Sequence, residues 1–244
     1  MNQKTLRDLP AWWWAGIPVA MMLLTFYAYF TSTDLMTLLL RRDEHPEGGG
    51  IAETGTVVIL LPAIIAGIAI LRHYRNWLPL WMLGWLLGWI LACIYFAGEE
   101  ASWGQHYFRW EAPEVLQGVN DQNETNLHNI GTWFDQKPRT LVELWIVFAG
   151  LLAPLIRRFR PQALWADRDW ARWFWPTAIG IPTVIAFLCA VVIALVAKKT
   201  GRTDLHQFGS NELREFYIAV FLSSYLLSLW YRLRQTANLN GGLA

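Results

Sequence analysis

Hydrophobic residues fall along this chain in long unbroken runs rather than in alternating or half-buried patterns. Six runs are continuous enough to cross a bilayer: Trp12–Phe30, Ile51–Leu71, Trp77–Gly98, Leu141–Ile156, Phe174–Ala197 and Phe216–Trp230. A membrane-spanning helix needs about 20 apolar residues. The fourth and sixth runs fall short of that, so their helices are expected to begin earlier, inside the preceding polar loops. Transmembrane strands would alternate over about ten residues, which these runs do not. The pattern predicts an all-α polytopic membrane protein: one domain, residues 1–244, of six transmembrane helices in three hairpins. Residues 99–140 form a structured outer loop between helices 3 and 4.

Composition agrees with this. Of 244 residues, 55% are hydrophobic and 16% charged, whereas a soluble domain carries about 25% charged residues. Sixteen Trp suit membrane–water interfaces, because the ring is apolar and its N–H polar. The first run is too long for the core of a cleaved signal peptide and lacks a small-x-small cleavage site. Cys93 and Cys189 both fall within runs and read as small buried apolar residues.

Charge sets the orientation. With six spans the termini share a side, and that side holds 11 of the 20 basic residues in short segments, among them Arg157, Arg158, Arg160, Arg168 and Arg172. The positive-inside rule then places both termini in the cytoplasm of a bacterial inner membrane. The segment Arg157–Arg172 mixes Arg with Trp and suits anionic headgroups. A net charge of +1 and the lack of any recognition motif argue against nucleic acid. Membrane lipids, a lipid-linked substrate or an envelope protein are the expected partners.

Sixteen of 19 carboxylates and four of five histidines fall on the opposite, outer side. The stretch Gly98–Asn129, GEEASWGQHYFRWEAPEVLQGVNDQNETNLHN, gathers Glu99, Glu100, Ser102, His106, Glu124 and His128. On a continuing helix Glu99 would share a face with Ser102 and Trp103, and Ser102 with His106. Glu124 and His128 are spaced i, i+4, which suits either metal ligation or a plain surface hydrogen bond. Asn126 and Asn129 stand ready to orient them. His206 is a further candidate ligand.

Each helix re-entering from the outer side has a Glu near its start: Glu53, Glu143, and Glu212 with Glu215. The helix macrodipole alone would favour a Glu there, but an ionisable residue at the lipid edge should face protein or water. These residues form the candidate site. Glu100, Glu99, Glu53 and Ser102 are its catalytic candidates. His128, His206, His106 and Glu124 are candidate ligands for a divalent metal such as zinc. Asn126, Asn129, Glu143 and Glu215 are orienting groups. Glu100 and His128 are expected to share one coordination sphere or hydrogen-bond network, because a carboxylate near lipid needs a partner.

The pairing of GEEASWGQ with ETNLHN resembles an uncharacterised family of small bacterial multi-pass membrane proteins, a resemblance that brings no activity with it. Glu99-x-x-Ser102-x-x-x-His106 is similar to the first motif of the alkaline ceramidase and adiponectin-receptor superfamily. That similarity implies a zinc-dependent amide hydrolase with Ser102, His106, His128 and His206 as the positions to test. The superfamily has seven helices and a late H-x-x-x-H, and this chain has six runs and no such motif.

Three functions fit these observations. One is a metal-assisted hydrolase or transferase acting on a lipid or lipid-linked substrate. The others are a non-catalytic envelope scaffold or accessory subunit whose loop docks a partner, and a small lipid or solute transporter. No HExxH, G-x-S-x-G, CxxC or P-loop is present to decide among them.

Overall fold

A computed structural model describes residues 7–40, 50–108, 110–111, 132–202 and 211–239, with backbone alone at 106–107, 132–136 and 138. It is all-α, with no strand among the described residues. Six helices are long and apolar enough to cross a membrane: span 1, Trp12–Thr31; span 2, Ile51–His73; span 3, Leu80–Glu100; span 4, Arg139–Phe159; span 5, Ala171–Thr200; and span 6, Asn211–Leu239. As expected, the fourth and sixth helices start before their apolar runs. The helix leading into span 4 begins at Thr132, and span 6 begins at Asn211.

Span 6 is the axis of the bundle. In its most apolar window 83% of residues are buried, against 22–39% for the other five. It packs most extensively on span 2, which in turn packs on span 3, and it also touches spans 1, 4 and 5. Span 1 lies against span 5, so neighbours along the chain are not always the main neighbours in the bundle. The outer helices turn Leu, Ile and Val outward, as at Leu23, Val58, Ile65, Leu91 and Val192, which is the surface that lipid would solvate. Cys93 is buried, whereas Cys189 is exposed on that surface.

Close approach depends on small residues, since packing rather than water exclusion drives helix association in lipid. A Cβ on Gly67 of span 2 would come within 2.5 Å of Ile90 of span 3. Phe221 of span 6 fills the space left by Gly150 of span 4 and Gly180 of span 5. A Cβ on Gly180 would sit 2.8 Å from its ring and 3.4 Å from Gly150 Cα.

Tryptophan is not confined to interfaces. Trp85 of span 3 meets Trp145 of span 4 at 4.9 Å and Phe174 of span 5 at 5.4 Å, and Trp145 stacks on Trp175 at 5.8 Å. Spans 3, 4 and 5 are therefore joined largely by rings, in the edge-to-face and offset geometries that aromatic quadrupoles favour.

Two spans are irregular. Span 4 contains a π-helical turn, Phe148–Leu152. Span 5 is broken: helix Ala171–Phe174 ends as Trp175 turns extended, and the long helix Ile181–Thr200 starts after a short 3₁₀ turn. Pro176 lies in the break. It has no N–H to offer the carbonyl of Arg172, four residues back. Span 6 supplies the missing donors. Arg232 Nη1 donates to Arg172 O at 2.6 Å, and Tyr225 Oη donates to Phe174 O at 3.0 Å. Backbone carbonyls shielded from water require such substitute donors.

The first and last described stretches of the chain meet at this end of the bundle. Arg7 N donates to Gln235 Oε1 and Gln235 Nε2 donates back to Arg7 O. Thr177 Oγ1 donates to Asp8 Oδ2 at 2.6 Å.

Candidate functional site

The end opposite the Arg7–Gln235 contact is the carboxylate end. Span 6 enters it with Glu212 and Glu215, three residues apart and so on one face, while span 3 arrives with Glu99 and Glu100 in its last turn. Oxygens of Glu100, Glu212 and Glu215 all lie within 4.8 Å of one another. Glu212 is 7% exposed and Glu100 9%. Three carboxylates brought so close from water require positive charge among them, as a cation, a guanidinium or a proton.

Arg139 supplies part of it, and Arg214 neutralises a fourth carboxylate, Glu143. Arg139 Nη1 pairs with Glu215 Oε1 at 2.9 Å, and Arg214 Nη2 pairs with Glu143 Oε1 at 2.5 Å. Both pairs join spans 4 and 6, and all four side chains are less than a quarter exposed. Glu143 is therefore engaged with Arg214, and Glu215 belongs both to an ion pair and to the carboxylate group.

Glu99 is buried and accepts a 2.6 Å hydrogen bond from Trp103 Nε1. Helix Leu80–Glu100 passes Gly98 unbroken, as expected, but it does not continue to His106. Ser102 and Trp103 take the left-handed backbone region, with φ of 40° and 53°, and Gly104 follows at 98°. For residues bearing a Cβ this conformation costs about 1–2 kcal/mol each. It folds Trp103 back over span 3, where Gly98 leaves room; a Cβ there would stand 2.9 Å from the indole. The expected Glu99–Trp103 contact forms, but through the left-handed turn and not on a shared helical face. The Ser102–His106 helical register does not hold, because the turn lies between them.

Ser102 is fully buried within that turn. His106 belongs to a short helix, Gln105–Phe108, and its side chain lies outside the described residues. So do Glu124, Asn126, His128, Asn129 and His206, and with them the expected Glu100–His128 contact. Glu53 is buried at the start of span 2, two residues before Gly55, where a Cβ would meet the Phe216 ring at 3.1 Å. It stands next to span 6 but outside the group formed by Glu100, Glu212 and Glu215.

The sequence places Glu212 with Glu215 among the re-entering glutamates but assigns a role only to Glu100 and Glu215. The i, i+3 spacing of Glu212 with Glu215 was the available signal. Arg139 and Arg214 carried none, because nothing along the chain says which carboxylates they meet. No family model, curated protein or solved structure matches this chain.

Proposed function

We propose that this is an inner-membrane protein whose carboxylate end faces outward, holds a divalent cation and acts on a lipid or lipid-linked substrate as a hydrolase or transferase. The observation that carries this reading is the convergence of Glu100, Glu212 and Glu215 from two helices more than a hundred residues apart in sequence. The basic residues gathered on the side of the termini support the outward orientation.

The three described donors are all carboxylate oxygens, which suits magnesium, manganese or calcium better than zinc. Such a cation would polarise an ester or phosphoryl oxygen, or activate a water, at the membrane edge. Arg139 and Arg214 stand within the same end to meet an anionic headgroup, each at present engaged by a Glu.

Elemental analysis of the purified protein, together with metal-dependent thermal stabilisation, tests the reading. The wild type should carry a divalent cation and melt higher when it is supplied. Glu100→Gln and Glu212→Gln should insert and purify yet lose both the cation and the shift. A metal-free wild type, indifferent to added cations, would remove the basis for catalysis here. The ion pairs Arg139–Glu215 and Arg214–Glu143 favour a second reading, in which this end is a charge clamp tying span 4 to span 6 and presents a fixed loop to an envelope partner. Under that reading the glutamines change stability and leave metal content at zero.

A further inference from the structure

The opposite half of span 6 carries a polar stripe that the carboxylate site does not use. Ser224, Ser228 and Arg232 follow at four-residue steps and so share one face of the helix. That face meets the break in span 5. Arg232 donates to Ser228 Oγ at 3.2 Å and to Arg172 O at 2.6 Å. Between the stripe and the break is a small recess lined by Pro176, Thr177, Gly180, Phe221, Ser224 and Ser228, among others. It has room for about one water molecule.

This part of the core has an unmet demand for hydrogen bonds. The hydroxyls of Ser223, Ser224 and Thr183, and Nη2 of Arg232, have no partner among the described residues. All four residues are more than nine-tenths buried. Buried polar groups in native proteins are satisfied by protein or by ordered water, and Ser224 lines the recess itself. A hydroxyl with both a donor and free lone pairs suits a ligand that can accept and donate in turn. The break in span 5 is where a membrane helix can admit it, since irregular backbone at this depth belongs beside a water-lined cavity or within protein.

We propose that the recess at the span-5 break is a hydration site, in which water held by Ser224 and Ser228 extends the polar stripe inward from the end where Arg7 meets Gln235. Phe221 lines the recess and is wedged between Gly150 and Gly180, where two irregular stretches of spans 4 and 5 meet. On the other side Asp8 bonds Thr177, another lining residue, so the N-terminal arm crosses the same break. The inference stands apart from the carboxylate reading and does not depend on a metal.

X-ray radiolytic labelling of the full chain in lipid nanodiscs tests it, because hydroxyl radicals made from bound water oxidise the side chains beside that water. Phe221 and Phe187 are equally well buried, at 1% and 3% exposed, and Phe187 does not line the recess. Phe221 should be oxidised several-fold faster than Phe187, and Ser224→Val should bring its rate down to that of Phe187. Equal rates in the wild type would show the recess to be dry and overturn the proposal. A fast Phe221 that ignores Ser224→Val would overturn the assignment to the stripe.

Discussion

At one end of span 6, Glu212 and Glu215 meet Glu100, and Glu215 is answered by the Arg139 guanidinium from span 4. At the other end, Arg232 is buried with no carboxylate in an ion pair with it among the described residues, and it bonds a backbone carbonyl and a serine instead. The first end concentrates like charge beyond what packing needs. The second spends a charged side chain on closing a helix break. Like charges brought together in a partly buried place are costly to keep and point to a ligand or a chemical task. A single guanidinium near Asp8, satisfying the carbonyl that Pro176 leaves open, has a structural reason that suffices for it.

The contrast can be broken most forcefully at Arg232. Arg232→Leu leaves the part-buried Arg172 carbonyl without its donor, and should cost about 1–3 kcal/mol for that group alone. A thermal melt in detergent would show it, and Arg232→Lys should recover only part because an ammonium cannot reproduce the fork. If Arg232→Leu melts like the wild type, the break in span 5 is satisfied some other way.

Packing between the two ends comes next. Gly150→Ala forces a methyl group into Phe221 and Val184, and overpacking of this kind costs about 1–3 kcal/mol. Gly84→Ala is the control, since a Cβ there meets nothing within 4 Å; it should be neutral or slightly stabilising. Equal melting of the two variants would mean that spans 4, 5 and 6 are not closely packed at this level.

The ion pairs sharpen the comparison at the carboxylate end. A double-mutant cycle on Arg214 and Glu143, read by melting, should return a coupling of about 1 kcal/mol, as partly exposed pairs do. For Arg139 and Glu215 the coupling should shrink when a divalent cation is added, because the cation and Arg139 compete for the same carboxylate. A coupling blind to cations would favour the charge clamp over the metal site. The smallest effect is expected from Trp103→Phe, which keeps the ring over Gly98 and deletes only the hydrogen bond to Glu99, for about 1 kcal/mol. A larger loss would mean that the bond also holds the strained turn at Ser102.

The number of helices, their approximate limits and the side on which carboxylates collect were legible in the sequence, because bilayer thickness imposes a length and hydrophobicity that a single run either meets or does not. The early starts of the helices at Thr132 and Asn211 were also legible, from runs too short to span. The Glu99–Trp103 pairing was legible from spacing, but the left-handed turn at Ser102 and Trp103, not a continuing helix, is what makes the contact. Which glutamates meet was not legible. Glu100 joins Glu212 rather than its neighbour Glu99, since adjacent helical residues diverge by about 100° and the partner comes from a helix more than a hundred residues away. Arg232 shows the same limit. Its place at the basic end could be read from charge, but its role needed Pro176 to fall opposite it in space. Local periodicity fixes what one helix presents, residue by residue. Only the packing of span 6 against every other helix decides which presented groups touch, because that choice depends on volumes, glycines and breaks that belong to several spans at once.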